Sequence, residues 1–393
     1  MKNFDFETER QLLIDNLNYL KSLSVEEYTF HRKWNELRHH IEPEREYIHN
    51  AQHSMWRPTV FNTPEAEADA AIAAISQIKP RIVFVGNMKT DETNFRHWEA
   101  YRYFLSSHEH NGVPGRFIKI LIVDDNAKGQ NVLGIASIAS DFNSVGDRDT
   151  FIGWTVDHRK NGKLNSTAIG STIVATQPFG FNFLGGKLIA SLITSKIVRD
   201  EWQLRYGDVL AGLTTTSLYG PSSMYNAIPW WKTLGATIGA IPIQPDVNIY
   251  KKWRLWVRTN RKKEFAEITT TKNGRGGAAT SEKTRVVELI FDSASISKDE
   301  YKHGFERGVF FSSFYENTKD FLCDKISEND LVLKPRFQGD IGAIMDWWRP
   351  RAIKRYLKLK EENRLKKFSP FYNDMDRMDY QTAKEKYFGD VGR

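Results

Sequence analysis

The chain has 393 residues, a net charge of +7, 40% hydrophobic residues and a single cysteine, Cys323. This length suits two or three domains or one decorated domain, and one cysteine excludes an intrachain disulfide and a cysteine-based zinc site. The charged N-terminus and the absence of an apolar run of membrane-spanning length predict a soluble, cytoplasmic protein with no membrane partner.

The first 80 residues are predicted to be helical. Apolar residues recur at helical spacing within 5–53, and 64–78 is an alanine-rich segment with an acidic first turn. His49 and His53 are four residues apart and would share a helix face, but no third ligand accompanies them, so we expect no metal site.

Strand patterns begin at residue 81. Three apolar runs predict strands, at 81–87, 116–125 and 132–141. The amphipathic pattern of 91–110 predicts a helix between the first two. An insertion then separates the strand at 132–141 from the next strand, at 171–177, and carries Asp157 and His158 at a mouth of the predicted fold. These two side chains are candidates to shuttle a proton, and the alternative is a plain surface loop.

The most informative stretch runs from the apolar strand 171–177 to the helix that two glycines open. Helix-terminal N–H groups lack intrahelical acceptors and glycines permit close approach, so this turn suits a phosphate or pyrophosphate. The alternative is a tight strand-to-helix turn without a ligand. The candidate cofactor contacts are Phe183, Leu184, Gly185, Gly186 and Lys187.

A β-branched strand at 209–220 follows, and then an aromatic helix at 222–239 that Pro229 would shorten or kink. Tyr225 is the main candidate for the proton shuttle, with a buried packing tyrosine as the alternative. Asn226 beside it could hydrogen-bond a base edge or an amide.

This order of elements resembles the core of the GNAT acetyltransferase superfamily. Trp231, Lys232, Leu234 and Gly235 match the superfamily's aromatic-Lys-x-Leu-Gly pattern, which follows a helix that carries a Tyr. The resemblance implies an α/β (α+β) fold, with a GNAT-like mixed central sheet, helices on both faces and helical N- and C-terminal additions. It also implies acetyl-CoA or a related CoA-like donor, held at the Gly-rich turn. The Arg or Gln that usually precedes a spaced Gly-x-Gly in that superfamily is absent here.

A second resemblance covers about 115–360 and is to the DruA-like family. The segments that carry it are 151–164, 185–208, 214–226 and 308–322. That family is named for a component of the Druantia anti-phage systems and also occurs in phage genomes. GNAT-like folds in phages include the Mom proteins, which modify adenine in DNA, and this link is an analogy of fold.

Two basic runs predict a nucleic-acid partner, with DNA favoured. Residues 251–263 hold seven basic residues and no acid, and residues 347–367 hold nine basic residues and two acids. Cations neutralise phosphates and interleaved aromatic rings stack on bases. The first run is predicted as an edge strand, and the alternative function of its charge is to keep that edge from aggregating. The candidate contacts are Lys251, Lys252, Arg254, Trp256, Arg258 and Arg261 in the first run, and Arg349, Arg351, Lys354 and Arg355 in a basic helix.

The chain therefore divides into a helical region (1–80), a GNAT-like α/β core (81–265), a Gly-rich loop (266–283), a C-terminal extension with the basic helix (284–367) and a peripheral tail (368–393). The predicted function is that of a phage or phage-defence protein that transfers a group from a CoA-like donor to a nucleobase or another amine on nucleic acid. The alternative is a non-catalytic nucleic-acid-binding protein that has lost the acyl-CoA site. A protein partner or a homo-oligomer also remains open.

Overall fold

The structure, a computed structural model, describes residues 4–58, 63–106, 115–127, 129, 131–217, 223–270, 282–367 and 378–388. The strands are β1 (Pro80–Val85), β2 (Phe117–Asp124), β3 (Val132–Ser140), β4 (Thr167–Ala175), β5 (Gly212–Ser217), β6 (Lys232–Pro242) and β7 (Lys302–Ser313). Within the described residues these seven strands form one sheet, in the order β1-β2-β3-β4-β5-β7-β6. Every neighbouring pair is antiparallel except β4 and β5, which are parallel. The predicted mixed α/β fold class is confirmed.

The parallel pair is short and opens into a wedge. Residues 167–169 of β4 pair with 212–214 of β5, and beyond these residues the two strands have no common register. In β4, Ser171 is an extra residue relative to β3, because Ser137 pairs with Thr172 and Ile138 pairs with Gly170. Such a bulge bends a strand locally. The C-terminal ends of β4 and β5 therefore diverge, and ligands of open α/β sheets bind at such ends.

Helices cover both faces of the sheet and extend beyond it. They are α1 (Phe6–Ser22), α2 (Val25–His53), α3 (Pro64–Gln77), α4 (Glu92–Leu105), α5 (Gly146–Ile152), α6 (Val156–Lys160), α7 (Phe179–Asn182), α8 (Gly185–Leu192), α9 (Lys196–Tyr206), α10 (Val247–Asn260), α11 (Lys262–Thr270), α12 (Glu282–Ser293), α13 (Thr318–Leu322), α14 (Ile341–Glu361) and α15 (Tyr380–Ala383). The helices predicted in 5–53, 64–78 and 91–110 are confirmed, although 107–110 lie outside the described residues. Ser24 starts α2 through a capping box with Glu27, which separates it from α1.

Alternation along the strands divides the core between the two faces. Ile118, Ile120 and Ile122 of β2 pack on one face with α3, α7, α8 and α14. Leu121 and Val123 of the same strand pack on the other face with α2 and α4. Ala383 and Tyr387, which belong to the predicted peripheral tail, are buried in this second cluster. The tail is therefore part of the core over the residues that the structure describes.

A third cluster unites α1 with the helices inserted between β6 and β7. Trp253 and Val257 of α10 are fully buried there, next to Leu13 and Leu17 of α1. The prediction of an edge strand at 251–263 is therefore wrong. The apparent alternation placed Leu255 with Trp253 and Val257, but Leu255 is 50% exposed. The two buried side chains, Trp253 and Val257, are four residues apart, and this spacing places them on the same face of a helix.

The aromatic helix predicted at 222–239 is also wrong. Residues 224–227 form a turn, and β6 begins at Lys232 and pairs with β7 over its whole length. Thr233, Thr237 and Ile238 are β-branched and favour a strand, and Pro229 prevents a helix from reaching them. Most of the predicted Gly-rich loop lies outside the described residues, and α11 occupies its first positions.

None of the helices in the described residues combines the length and the apolar character that crossing a bilayer requires.

Candidate functional site

The start of α8 is shaped by close packing. Leu184 has a left-handed backbone with φ of 55° and turns the chain into the helix. A Cβ atom on Gly185 would lie 2.4 Å from the ring of Phe179, which is fully buried. A Cβ atom on Gly186 would lie 2.8 Å from Sδ of Met224. Packing alone therefore requires a glycine at position 185.

The main chain at this turn also offers donors. Among the described residues, the N–H groups of Leu184, Gly185 and Gly186 have no acceptor. The carbonyl of Leu184 is occupied, since it accepts a hydrogen bond from Nε1 of Trp348 at 3.1 Å. Adjacent free N–H groups at the start of a helix can bind an anion, so these three groups fit the predicted role.

The other two predicted cofactor contacts have structural roles. Phe183 is 1% exposed and stacks on Tyr356 with a centroid distance of 4.9 Å. Nζ of Lys187 donates to the carbonyls of Met224 at 3.0 Å and Asn226 at 2.5 Å, so it fixes the turn that precedes β6. Burial lowers the pKa of Lys187.

Tyr225 lies in this turn, and its side chain is enclosed. Its ring contacts Trp231 and Phe310 at centroid distances of 5.5 and 5.0 Å. Burial raises the pKa of Tyr225 to about 12, although a hydrogen bond with Thr215 opposes the shift. Thr215 in turn donates to the carbonyl of Gly170 across the wedge. The hydroxyl of Tyr225 therefore contacts Thr215, which crosses the wedge, and the arrangement fits the packing alternative better than a proton shuttle.

Asp157 and His158 lie on the other side of the sheet. They belong to α6, where Nδ1 of His158 accepts a hydrogen bond from the N–H of Thr155 at 3.1 Å. The insertion that contains them packs near Phe311 of β7, whereas Tyr225 packs on Phe310. Successive residues of a strand face opposite sides. The structure therefore does not bring these groups together with Tyr225, and His158 serves as a cap.

A buried ionic network, which the sequence did not indicate, anchors this insertion. Arg148 of α5 is fully buried and lies 2.7 Å from a carboxylate oxygen of Asp141 and 2.7 Å from one of Asp149. Oγ1 of Thr214 donates to the second oxygen of Asp141 at 2.7 Å. Burial raises the pKa of Asp141, and Arg148 opposes the shift. Arg159 contacts Asp149 at 3.0 Å, which ties α6 to the same network.

In the first basic run, three of the seven cations are paired with acidic side chains within the protein. Acidic side chains contact three of the predicted residues: Glu9 contacts Lys252 at 2.8 Å, Glu282 contacts Arg254 at 3.4 Å, and Glu264 and Asp292 contact Arg261 at 2.8 and 3.1 Å. Trp256 packs on Phe4 and Phe6. Lys251 and Arg258 are exposed, and no ion pair joins them to another described residue. Two of the six candidates thus remain available to a partner.

In the basic helix α14, cations lie against aromatic rings. The guanidinium of Arg351 lies 4.7 Å from the ring of Trp347. Arg355 and Lys366 lie 5.0 and 4.7 Å from the ring of Phe181, which belongs to α7. Sequence reasoning missed Phe181 because it is more than a hundred residues from its cationic partners, and only the fold brings them together.

The remaining two candidates of α14 differ in role. Lys354 is exposed and lines an open groove of about 770 Å³. Arg349 instead donates to the carbonyl of Ile78 at 2.8 Å and holds α14 against the segment that precedes β1. We therefore define the α14 surface as Arg351, Lys354, Arg355 and Lys366 with the rings of Trp347 and Phe181.

Comparisons with known proteins give one family. A family model described as "Druantia protein DruA" matches residues 31–324. A curated protein with that description, from Escherichia coli (strain UMEA 4076-1), is 27% identical over 259 residues, which are 61% of this chain and 61% of that protein. The chain thus covers less than two thirds of that relative's length. No solved structure matches the chain.

Proposed function

Since this chain belongs to the DruA family, we propose that it is a cytoplasmic phage-defence protein that binds nucleic acid, with DNA as the favoured partner. The Druantia name of the family supports the defence role. The binding role rests on the side chains of α14, and it is the function that the geometry supports best.

One observation carries the proposal: the cations of the α14 surface lie against aromatic rings. Arg351 lies over Trp347, and Arg355 and Lys366 both lie over Phe181. Nucleic acid combines phosphates, which bind cations, with planar bases, which stack on aromatic rings and on guanidinium planes. No acidic side chain forms an ion pair with these cations in the part of the chain that the structure describes. Their charge is therefore available to a polyanion.

The test compares two double variants, in α14 and the residues directly after it, that remove the same charge. Arg351→Gln with Lys354→Gln removes two available cations, whereas Lys358→Gln with Arg364→Gln removes two cations that both contact Glu362. The plot of log affinity against log salt has a negative slope. The first variant should make that slope less steep by about 2, because about one unit is lost per phosphate contact. The control should reduce its steepness less. Equal slopes in both variants and the wild type, for labelled DNA and RNA, would reject the α14 surface.

A second candidate function is group transfer from a CoA-like donor to nucleic acid. The strand order and the single parallel pair that opens into a wedge support a GNAT-like core. The three free N–H groups at 184–186 support an anion there. The enclosed hydroxyl of Tyr225 does not fit the proton transfer that the resemblance implied, so this function stands second.

Calorimetry with acetyl-CoA tests this second candidate. Gly186→Asp would place a negative charge among the three N–H groups and should abolish any heat of binding. Its control is Gly186→Ala, which adds bulk without charge. The absence of heat with the wild type at millimolar acetyl-CoA would exclude that donor. Mass spectrometry of nucleosides from cells that express the chain would then show whether any base is modified.

A further inference from the structure

Four cations that are distant in sequence meet where β6 begins and β7 ends. We call them the β6 cluster: Lys232, Lys319, Lys334 and Arg336. Lys232 is the first residue of β6, Lys319 belongs to α13, and the other two flank Pro335 shortly before α14. Lys232 is also the lysine of the aromatic-Lys-x-Leu-Gly pattern, and neither proposed function uses its side chain.

One aromatic ring organises two of these charges. The Nζ atoms of Lys232 and Lys319 lie 4.6 and 3.9 Å from the centre of the Phe151 ring. Phe151 in turn contacts Phe311, the residue of β7 that pairs in register with Lys232. Both lysines are exposed, so their ammonium groups flank this ring at the protein surface.

The other two charges are held beside them. Nζ of Lys334 lies 3.1 Å from Oγ of Ser313 at the end of β7. Burial lowers the pKa of Lys334, and the charges of Arg336, Lys232 and Lys319 lower it further, while Glu316 opposes them. The charges of the other three cations therefore all act on Lys334.

Glu316 offsets part of this repulsion, but none of the four cations forms an ion pair in the ranges that the structure describes. Uncompensated like charges destabilise a fold, and a bound anion would relieve them. The neighbouring cavity, which Trp230 and Arg336 line, measures only about 10 Å³ and holds at most one water. An open surface of cations without a pocket suits the phosphates of a polymer rather than a small molecule.

A buried tryptophan, Trp230, connects the segment that carries Arg336 to the α14 surface. Nε1 of Trp230 donates to the carbonyl of Arg336 at 3.2 Å, and the Trp230 ring contacts that of Trp347 at 5.4 Å, edge to face. Arg351 covers the other ring of this pair. These rings connect the two groups of cations through the protein, while Lys232, Lys319 and Phe151 lie on the Phe311 face of the sheet and α14 packs on the Phe310 face.

We propose that the β6 cluster binds backbone phosphates of the same nucleic acid that the α14 surface engages. This inference rests on the proposed function and extends its interface to residues from three further segments of the chain. It assigns Lys232 and Lys319 as exposed phosphate contacts, and Lys334 as the half-buried charge between Ser313 and the surface.

The test uses Lys232→Gln with Lys319→Gln, since both side chains are exposed and their loss should leave the fold intact. The control is Lys325→Gln with Lys298→Gln, which removes two exposed lysines that contact Asp320 and Glu288. Affinity for labelled duplex DNA, single strands and RNA is measured across salt concentrations, together with the melting temperature. The β6 variant should make the slope of log affinity against log salt less steep by about 2 relative to the wild type, and the control should not.

Three outcomes are decisive. A less steep slope in the β6 variant with an unchanged melting temperature supports phosphate binding by the β6 cluster. If the wild type binds, and the β6 variant and its control both keep its full affinity and salt slope, this inference alone is overturned. The proposed role of the α14 surface is then unaffected. A wild-type chain without affinity for any of the three probes overturns the proposed function, and the cluster with it.

Discussion

Gly185 and Gly186 are adjacent, and the structure predicts opposite effects when each is changed to alanine. At position 185 the new methyl would lie 2.4 Å from the Phe179 ring, about 1 Å closer than ordinary contact begins. Phe179 cannot retreat, because it is fully buried and packs on Trp56 and Trp348. Overpacking costs about 1–3 kcal/mol, while alanine in place of glycine in a helix returns about 0.5–1 kcal/mol. Gly185→Ala should therefore be destabilised by about 1–2 kcal/mol.

At position 186 the methyl meets Sδ of Met224, the end of a flexible side chain. Gly186→Ala should therefore be neutral or gain up to about 1 kcal/mol. Urea unfolding of both variants, followed by tryptophan fluorescence, gives the two free energies of unfolding. If Gly185→Ala proved as stable as Gly186→Ala, the packing account of this turn would be refuted, and a ligand would be the better reason for the glycine at 185.

Three further predictions concern stability and function. Arg148→Met should cost about 3–5 kcal/mol in urea unfolding, because it leaves the buried Asp141 without a counter-ion, and adding Asp141→Asn should restore part of the loss; no recovery in the double variant would contradict this. Tyr225→Phe should cost about 0.5–1.5 kcal/mol and leave DNA affinity unchanged, because its enclosed hydroxyl only forms a hydrogen bond with Thr215; a change in affinity would show that the hydroxyl contacts the ligand. Burial lowers the pKa of His31 below its ordinary 6.5, so the unfolded chain binds more protons, and stability should fall as pH drops below 6.5 through the folded-state pKa. In His31→Gln that fall should be smaller, and an unchanged pH profile would contradict the assignment.

Local signals predicted most helices and strands of the core. The apolar runs of β1 to β5 and the alanine-rich pattern of α3 are local, and the structure has each element there, whereas the break between α1 and α2 was not predicted. β6 was predicted as a helix and α10 as a strand, because a short stretch of sequence can match the wrong periodicity. Trp253, Leu255 and Val257 alternate like a strand, yet burial of only the first and third determines a helix.

The site depends on contacts that no local pattern contains. The glycines of the turn were correctly placed at a helix start, but only the fold shows that Phe179 requires one of them. Equally, the seven basic residues of 251–263 suggested one surface, and the structure pairs Arg254 and Arg261 with acids from elsewhere in the chain. The β6 cluster comes from segments about ninety residues apart, so sequence alone offered no sign of it.

If the chain binds nucleic acid through exposed cations, its affinity for labelled duplex DNA must depend on salt concentration. We expect the logarithm of the association constant to fall linearly with the logarithm of salt concentration, with a slope of about −0.9 for each phosphate contacted. Several contacts from the α14 surface should make that slope steep. No binding at low salt, or an affinity that salt does not change, would contradict the account.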